Sequence, residues 1–247
     1  MTTAAVRGPG WVAKTAALAG KDLRIETRAR DTLPPMLAFS VTVALLLAFT
    51  LPATGDLEAP VDIPPAGTAS LAAVLAGFLW VTILFSGLIG FARSFEVEQR
   101  DGALDSLLLV PLDRSGLFAA KAIANLATLI VVEIVLIPVF GLLFGIDLAG
   151  SLGPLAAVIV LADIGFVALG TLFASLAAQT RSRELMLPVL ALPAVVPVFI
   201  AATELTADLL VGSGLSGVVD RGWFGVLVAV DVIYVTVAAL AFEFTLD

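Results

Sequence analysis

Six stretches of this chain are apolar for about as long as a bilayer crossing requires, and charged or Pro/Gly-rich segments separate them. They cover residues 33–51, 69–91, 122–144, 154–178, 187–203 and 223–244. A helix needs about 20 apolar residues to cross hydrocarbon, so the pattern predicts six transmembrane helices in one membrane domain, 1–247. No stretch shows the two-residue alternation of a strand. Ahead of the first span, 11–30 reads as a helix with two stripes. Trp11, Leu18 and Ile25 align on one, and Lys14, Lys21 and Arg28 lie on another about 60° away, at roughly 100° per residue. An apolar stripe flanked by cations suits a helix lying in the membrane interface. The first 30 residues lack the apolar core of a signal peptide.

The intervening segments differ in kind. Residues 52–68 form a Pro/Gly/Asp-rich loop with Asp56, Glu58 and Asp62 and no cation. The fifth run holds Pro188, Pro193 and Pro197, each of which removes a helix hydrogen bond. After it, 204–221 carries the glycine-rich Gly212–Gly217 stretch and reads as a re-entrant or interfacial segment. Between the second and third spans, 96–114 places seven charges around a short amphipathic pattern. Asp101 and Gly102 suit a helix N-cap, Leu104, Leu107 and Leu108 share one face, and Pro111 ends the run. Such a leucine knob is shaped to enter a groove, with Glu98, Arg100, Asp101 and Asp105 setting register by charge.

Composition agrees with the membrane reading and removes several chemistries. Of the 247 residues, 60% are hydrophobic and 14% charged, against about 25% charged in a soluble domain. There is no cysteine and no histidine, which excludes thiolate catalysis, histidine bases and histidine ligation of a haem. Gly8–Thr15 superficially resembles a phosphate loop, but Ala13 stands where that motif needs glycine and no strand precedes it. The net charge is −8, with ten arginines and three lysines. An acidic, lysine-poor balance suits a high-salt medium or strongly basic partners, and nothing in it suits nucleic acid. With the N-terminus inside, 12 of the 13 Lys and Arg residues fall in cytoplasmic segments and Arg221 alone lies outside. Cations stay on the cytoplasmic side, so both termini and 96–114 are expected there, in a multi-pass cell-membrane protein.

Three acids fall inside spans: Glu133, Asp163 and Asp231. An ionised carboxylate at mid-bilayer costs at least ~2.5–3.5 kcal/mol, so each is expected to face the bundle interior. They read equally well as a polar translocation path or proton relay and as interhelical hydrogen bonds. The similar depth of Asp163 and Asp231 would let them share an outward-facing cavity. Ser86/Gly90 and Gly141/Gly145 have the spacing that allows close helix approach.

With the loops placed, the chain resembles a known family: the B subunit of the haem exporter of cytochrome c maturation, within the ABC-type export permeases. The resemblance runs through Lys21-Asp-Leu-Arg24 and Arg28, Trp80 with Phe85 and Gly87, and Glu98-x-Arg-Asp-Gly-Ala-Leu-Asp105 with Leu107-Leu108. It continues through Pro111, Asp113-Arg114, Lys121, Pro138, and Arg183-Glu184-Leu-Met-Leu-Pro188 on to Pro193 and Pro197. It implies an all-α integral membrane permease of six spans, with an N-terminal interfacial helix and a cytoplasmic coupling helix between spans two and three. The implied partners are an ATP-binding cassette subunit, a haem-handling membrane protein and a haem chaperone, with the permease paired as a homodimer. It implies no catalytic residue and no metal in this chain: ATP would be hydrolysed by the partner, and haem would be at most a cargo. Three alternatives stay open: an export permease of the same group with another cargo (drug, glycan precursor, ion), a proton-coupled secondary transporter working through the three acids, and a non-transporting scaffold.

Overall fold

The computed structural model describes residues 10–29, 31–51, 56–63, 67–95, 114–148, 150–178, 180, 183–220 and 222–244. The eight residues expected to form the coupling element, Glu98, Arg100, Asp101, Gly102, Leu104, Asp105, Leu107 and Leu108, lie outside that set. The described chain is α-helical apart from one small hairpin. Its elements are α1 (Trp11–Ala29), α2 (Leu33–Thr50), β1 (Pro60–Ile63), β2 (Gly67–Ser70), α3 (Leu71–Arg93), α4 (Arg114–Phe144), α5 (Leu152–Ala178), α6 (Arg183–Leu210), α7 (Gly214–Asp220) and α8 (Gly222–Phe244). Six of these helices, α2 to α6 and α8, are long and apolar enough to cross a membrane.

Where the elements start and stop follows local chemistry. Pro34 and Pro35 open α2, where a missing N–H costs nothing. Helix α3 begins two residues later than the apolar run because Ser70 caps it, accepting a hydrogen bond from the Ala73 N–H at 3.2 Å. Helix α4 ends in a Schellman turn: Gly145 is left-handed at φ 66° and the Ile146 N–H reaches the Gly141 carbonyl at 2.9 Å. The spacing of Gly141 and Gly145 therefore terminates a helix and is not an association stripe. Ser86 and Gly90 do lie at a helix contact. The Ser86 hydroxyl meets that of Ser40 on α2 at 2.6 Å, and a Cβ on Gly90 would stand 3.0 Å from the Met36 sulfur.

Four segments depart from the sequence reading. The acidic loop contains an antiparallel hairpin, with Pro60 opposite Ser70 and Ile63 opposite Gly67; four-residue strands are too short to show an alternation. Helix α4 starts at Arg114, so the charged entry to the third span is helical and carries Lys121 into the bundle. Helix α6 does not break at its three prolines but runs unbroken to Leu210. Consequently the first third of 204–221, expected as a re-entrant or interfacial segment, is the end of α6, and a second Schellman turn at Gly212 (φ 91°), with the Ser213 N–H on the Asp208 carbonyl, leads into α7. Helix α1 forms over the expected residues. Its buried stripe is Thr15 and Ala19, leading to Asp22, while Trp11 is 45% exposed. Small residues let α1 lie close against α4.

Helix α5 is the centre of the bundle and packs on α3, α4, α6 and α8. It interlocks with α3 through a reciprocal pair. The Phe166 ring fills the space where Gly87 lacks a side chain, and the Phe91 ring fills the same space at Gly170. An aromatic chain runs from Phe91 through Phe166 and Phe199 to Trp80, with successive centroids 5.0, 5.0 and 5.6 Å apart. These edge-on contacts suit the ring quadrupoles. Trp80 closes the chain by donating its indole N–H to Thr206 Oγ1 at 2.9 Å.

Candidate functional site

Two polar regions stand out in this apolar bundle. The first is at the end carrying α1. Lys121, 3% exposed, reaches from α4 to Asp22 of α1 at 3.0 Å, donates to the Ser94 carbonyl at 3.0 Å, and lies 5.4 Å from the centre of the Phe95 ring. Asp22 also meets Lys21 at 3.1 Å. A single lysine thus binds α1, the end of α3 and the start of α4 together. One turn along α1, Glu26 accepts from the Thr32 and Leu33 N–H groups at 3.0 and 2.9 Å. It serves as the cap that Thr32 does not provide for α2. Arg93 donates to the Asp31 carbonyl. These groups rim a cavity of about 300 Å³ that runs inward past Asn125 and Thr128 to Leu129.

The second region is the bundle interior. Glu133, Asp163 and Asp231 are 2%, 0% and 5% exposed. They come from α4, α5 and α8, and they meet: the carboxyl of Glu133 faces that of Asp163 at hydrogen-bonding range, and Asp163 in turn faces Asp231. Asp231 lies on the backbone of Gly165, whose missing Cβ makes the room for it. None of the six carboxyl oxygens has an N–H or hydroxyl partner in good geometry. The three acids expected along a polar path are therefore one cluster. They are packed among side chains, and no described cavity is lined by Asp163 or Asp231; the α1-end cavity reaches Leu129, four residues from Glu133 on α4.

A register links the two regions. Asn125 of α4 donates to Thr171 of α5 at 3.0 Å. Eight residues on along α4 and eight back along α5, Glu133 meets Asp163. The two helices are antiparallel neighbours with matched rungs, so Leu129 stands opposite Val167 between the polar levels. Both are buried, at 1% and 3% exposure. On α4 the stripe therefore reads Lys121, Asn125, Leu129, Glu133, at four-residue steps.

Sequence reasoning found the three acids but not that Glu133 joins the other two. It used Lys121 and Asp22 only for topology and family resemblance, not as partners, and passed over Glu26, Asn125 and Thr171. A signal existed for two of these: Asn125 and Thr171 are polar side chains in apolar runs, and such residues in lipid-spanning helices usually find each other.

The fold and these interior polar groups define a polytopic all-α membrane protein of the transport type. A family model described as "CcmB protein" matches residues 13–247, and the chain belongs to that family. Among curated relatives, "Heme exporter protein B" of Paracoccus denitrificans is 34% identical over 189 residues, 76% of this chain and 80% of that protein. The protein of the same name from Rhodobacter capsulatus is 30% identical over 189 residues, with the same coverage. That of Bradyrhizobium diazoefficiens is 28% identical over 198 residues, 79% of this chain and 82% of its own length.

Proposed function

We propose that this chain is the membrane-embedded permease subunit of an ABC-type complex that serves haem export in cytochrome c maturation, either by moving haem or by driving its release from a chaperone. The family and the names of its relatives support that assignment. In this reading the α1 end faces the cytoplasm, as the lysine and arginine distribution favours. A separate ATP-binding cassette subunit docks there and hydrolyses ATP. The permease acts as a homodimer beside a haem-handling membrane protein and the chaperone, and holds no resident cofactor. ABC-type export of another cargo is the runner-up.

The observation that carries the coupling part of the proposal is the clamp at Lys121. In sequence, 96–113 joins Phe95 to Arg114. Phe95 lies against Lys121, which also holds α1. A force applied to 96–113 would therefore reach α1, α3 and α4 through one buried side chain. In this mechanism Leu104, Leu107 and Leu108 fill a groove on the ATPase, and Glu98, Arg100, Asp101 and Asp105 hold the register around Gly102.

The test is affinity purification of the tagged chain from its native membrane. Wild type is expected to bring down an ATP-binding subunit together with a haem-handling membrane protein. Leu104→Asp and Leu108→Asp are expected to insert normally and to lose the ATPase. Retention of the ATPase and of function by both variants rules out 96–113 as the coupling element; a lone, fully active chain overturns the complex itself.

A further inference from the structure

We propose that Glu133, Asp163 and Asp231 form a proton-binding site that exchanges with water in the α1-end cavity, across one apolar layer made by Leu129 and Val167. Three observations lead there. First, the carboxyls are buried, have no N–H or hydroxyl partner in good geometry, and face one another. Neighbouring carboxyl groups 3 Å or so apart do not both ionise, and a proton on one gives its neighbour a hydrogen-bond donor. Second, a proton needs no shell of three or more ligands, and among the described residues no such shell is assembled. Third, the cavity reaches Leu129, and Glu133 lies four residues further along the same stripe of α4, about 6 Å. On the opposite side of the cluster the matching rung is Ile137 and Ile159, and the void that Ile137 lines holds only about 10 Å³, against about 300 Å³ at the α1 end.

Among the described residues, no other titratable group competes for the proton inside the bundle. Tyr234 shares α8 with Asp231 and donates its hydroxyl to the Ala194 carbonyl of α6. From α6 the side chain near Gly165 is Val198; Arg183 and Glu184 open that helix, and Glu204 and Asp208 lie in its last two turns. Helix α2 has no charged residue, and α3 has only Arg93, at its end. The binding step is simple: a carboxylate oxygen takes a proton from hydronium in the cavity, one O–H bond forming as the hydronium O–H bond breaks to leave water, and release reverses it. Water or a rotamer change at Leu129 opens the route.

The test is infrared spectroscopy of the purified protein in lipid nanodiscs, following the carboxylic-acid C=O band. The wild-type minus Asp163→Asn difference is expected to contain a band that titrates with pH and shifts down in D₂O. Glu133→Gln is expected to move the same band, because the two groups share it. Transfer into D₂O is expected to shift the band severalfold faster in Leu129→Ala, and at the wild-type rate in Ile159→Ala. Val167→Ala replaces Leu129→Ala if the latter elutes as aggregate. Absence of a titrating band overturns the site. An unchanged rate in the Leu129 and Val167 variants, or a faster one in Ile159→Ala, overturns the α1-end route.

Discussion

Two polar regions in this molecule sit one apolar rung apart and solve burial in opposite ways. At the α1 end, buried charge meets opposite charge or backbone: Lys121 with Asp22 and the Ser94 carbonyl, Glu26 with two N–H groups. In the interior, Glu133 and Asp163 meet each other and Asp231, which also lies on the Gly165 backbone. A buried charge with fitted partners holds elements in register, and removing one partner strands the other. Acids gathered without donors stabilise nothing by themselves, since unsatisfied buried polar groups cost free energy. The first region is built as a clamp, and the second as a site whose contents can change.

Substitutions should separate the two. The largest effect is expected from Lys121→Met, which strands Asp22 below α1. It should cost about 3 kcal/mol of stability in detergent, the low end for breaking a buried pair, because Lys21 still reaches Asp22. Thermal unfolding reads the loss, and adding Asp22→Asn should recover most of it. Next comes Gly165→Ala. Its methyl group would overlap Asp231, forcing that carboxyl away at a cost of about 1–2 kcal/mol, as overpacking does. The smallest change should have the opposite sign. Asp163→Asn gives Glu133 and Asp231 an amide donor and should leave stability equal or raise it by about 1 kcal/mol. A loss of several kcal/mol there would mean that the acids are a second clamp, and the contrast would collapse.

The sequence reading succeeded where a short-range rule is strict. Spans are set by the thickness of hydrocarbon, so six apolar runs became six helices; most ends moved by a few residues, as at the Ser70 cap, while α4 starts at Arg114 and α6 runs on to Leu210. It failed where a distant partner decides. The three prolines of α6 each delete a backbone bond, yet the helix continues because α3, α5 and α8 pack along it and hold the chain helical. The Pro60–Ser70 hairpin depends on pairing across a turn.

The same division holds for function. Amino-acid order alone determined the membrane class, the absence of thiol and imidazole chemistry, and the presence of three acids in the spans, because each follows from residue type and from the cost of placing it in lipid. It carried enough family resemblance to point to an export permease. The tertiary structure decided that the acids form one cluster and that Lys121 joins three helices. It also decided that Asn125–Thr171, Leu129–Val167 and Glu133–Asp163 form successive rungs. Those facts depend on the register of α4 against α5. Side-chain volumes across the contact set that register, with rings seated over Gly87 and Gly170 locking α5 to α3, and no period in either helix encodes it.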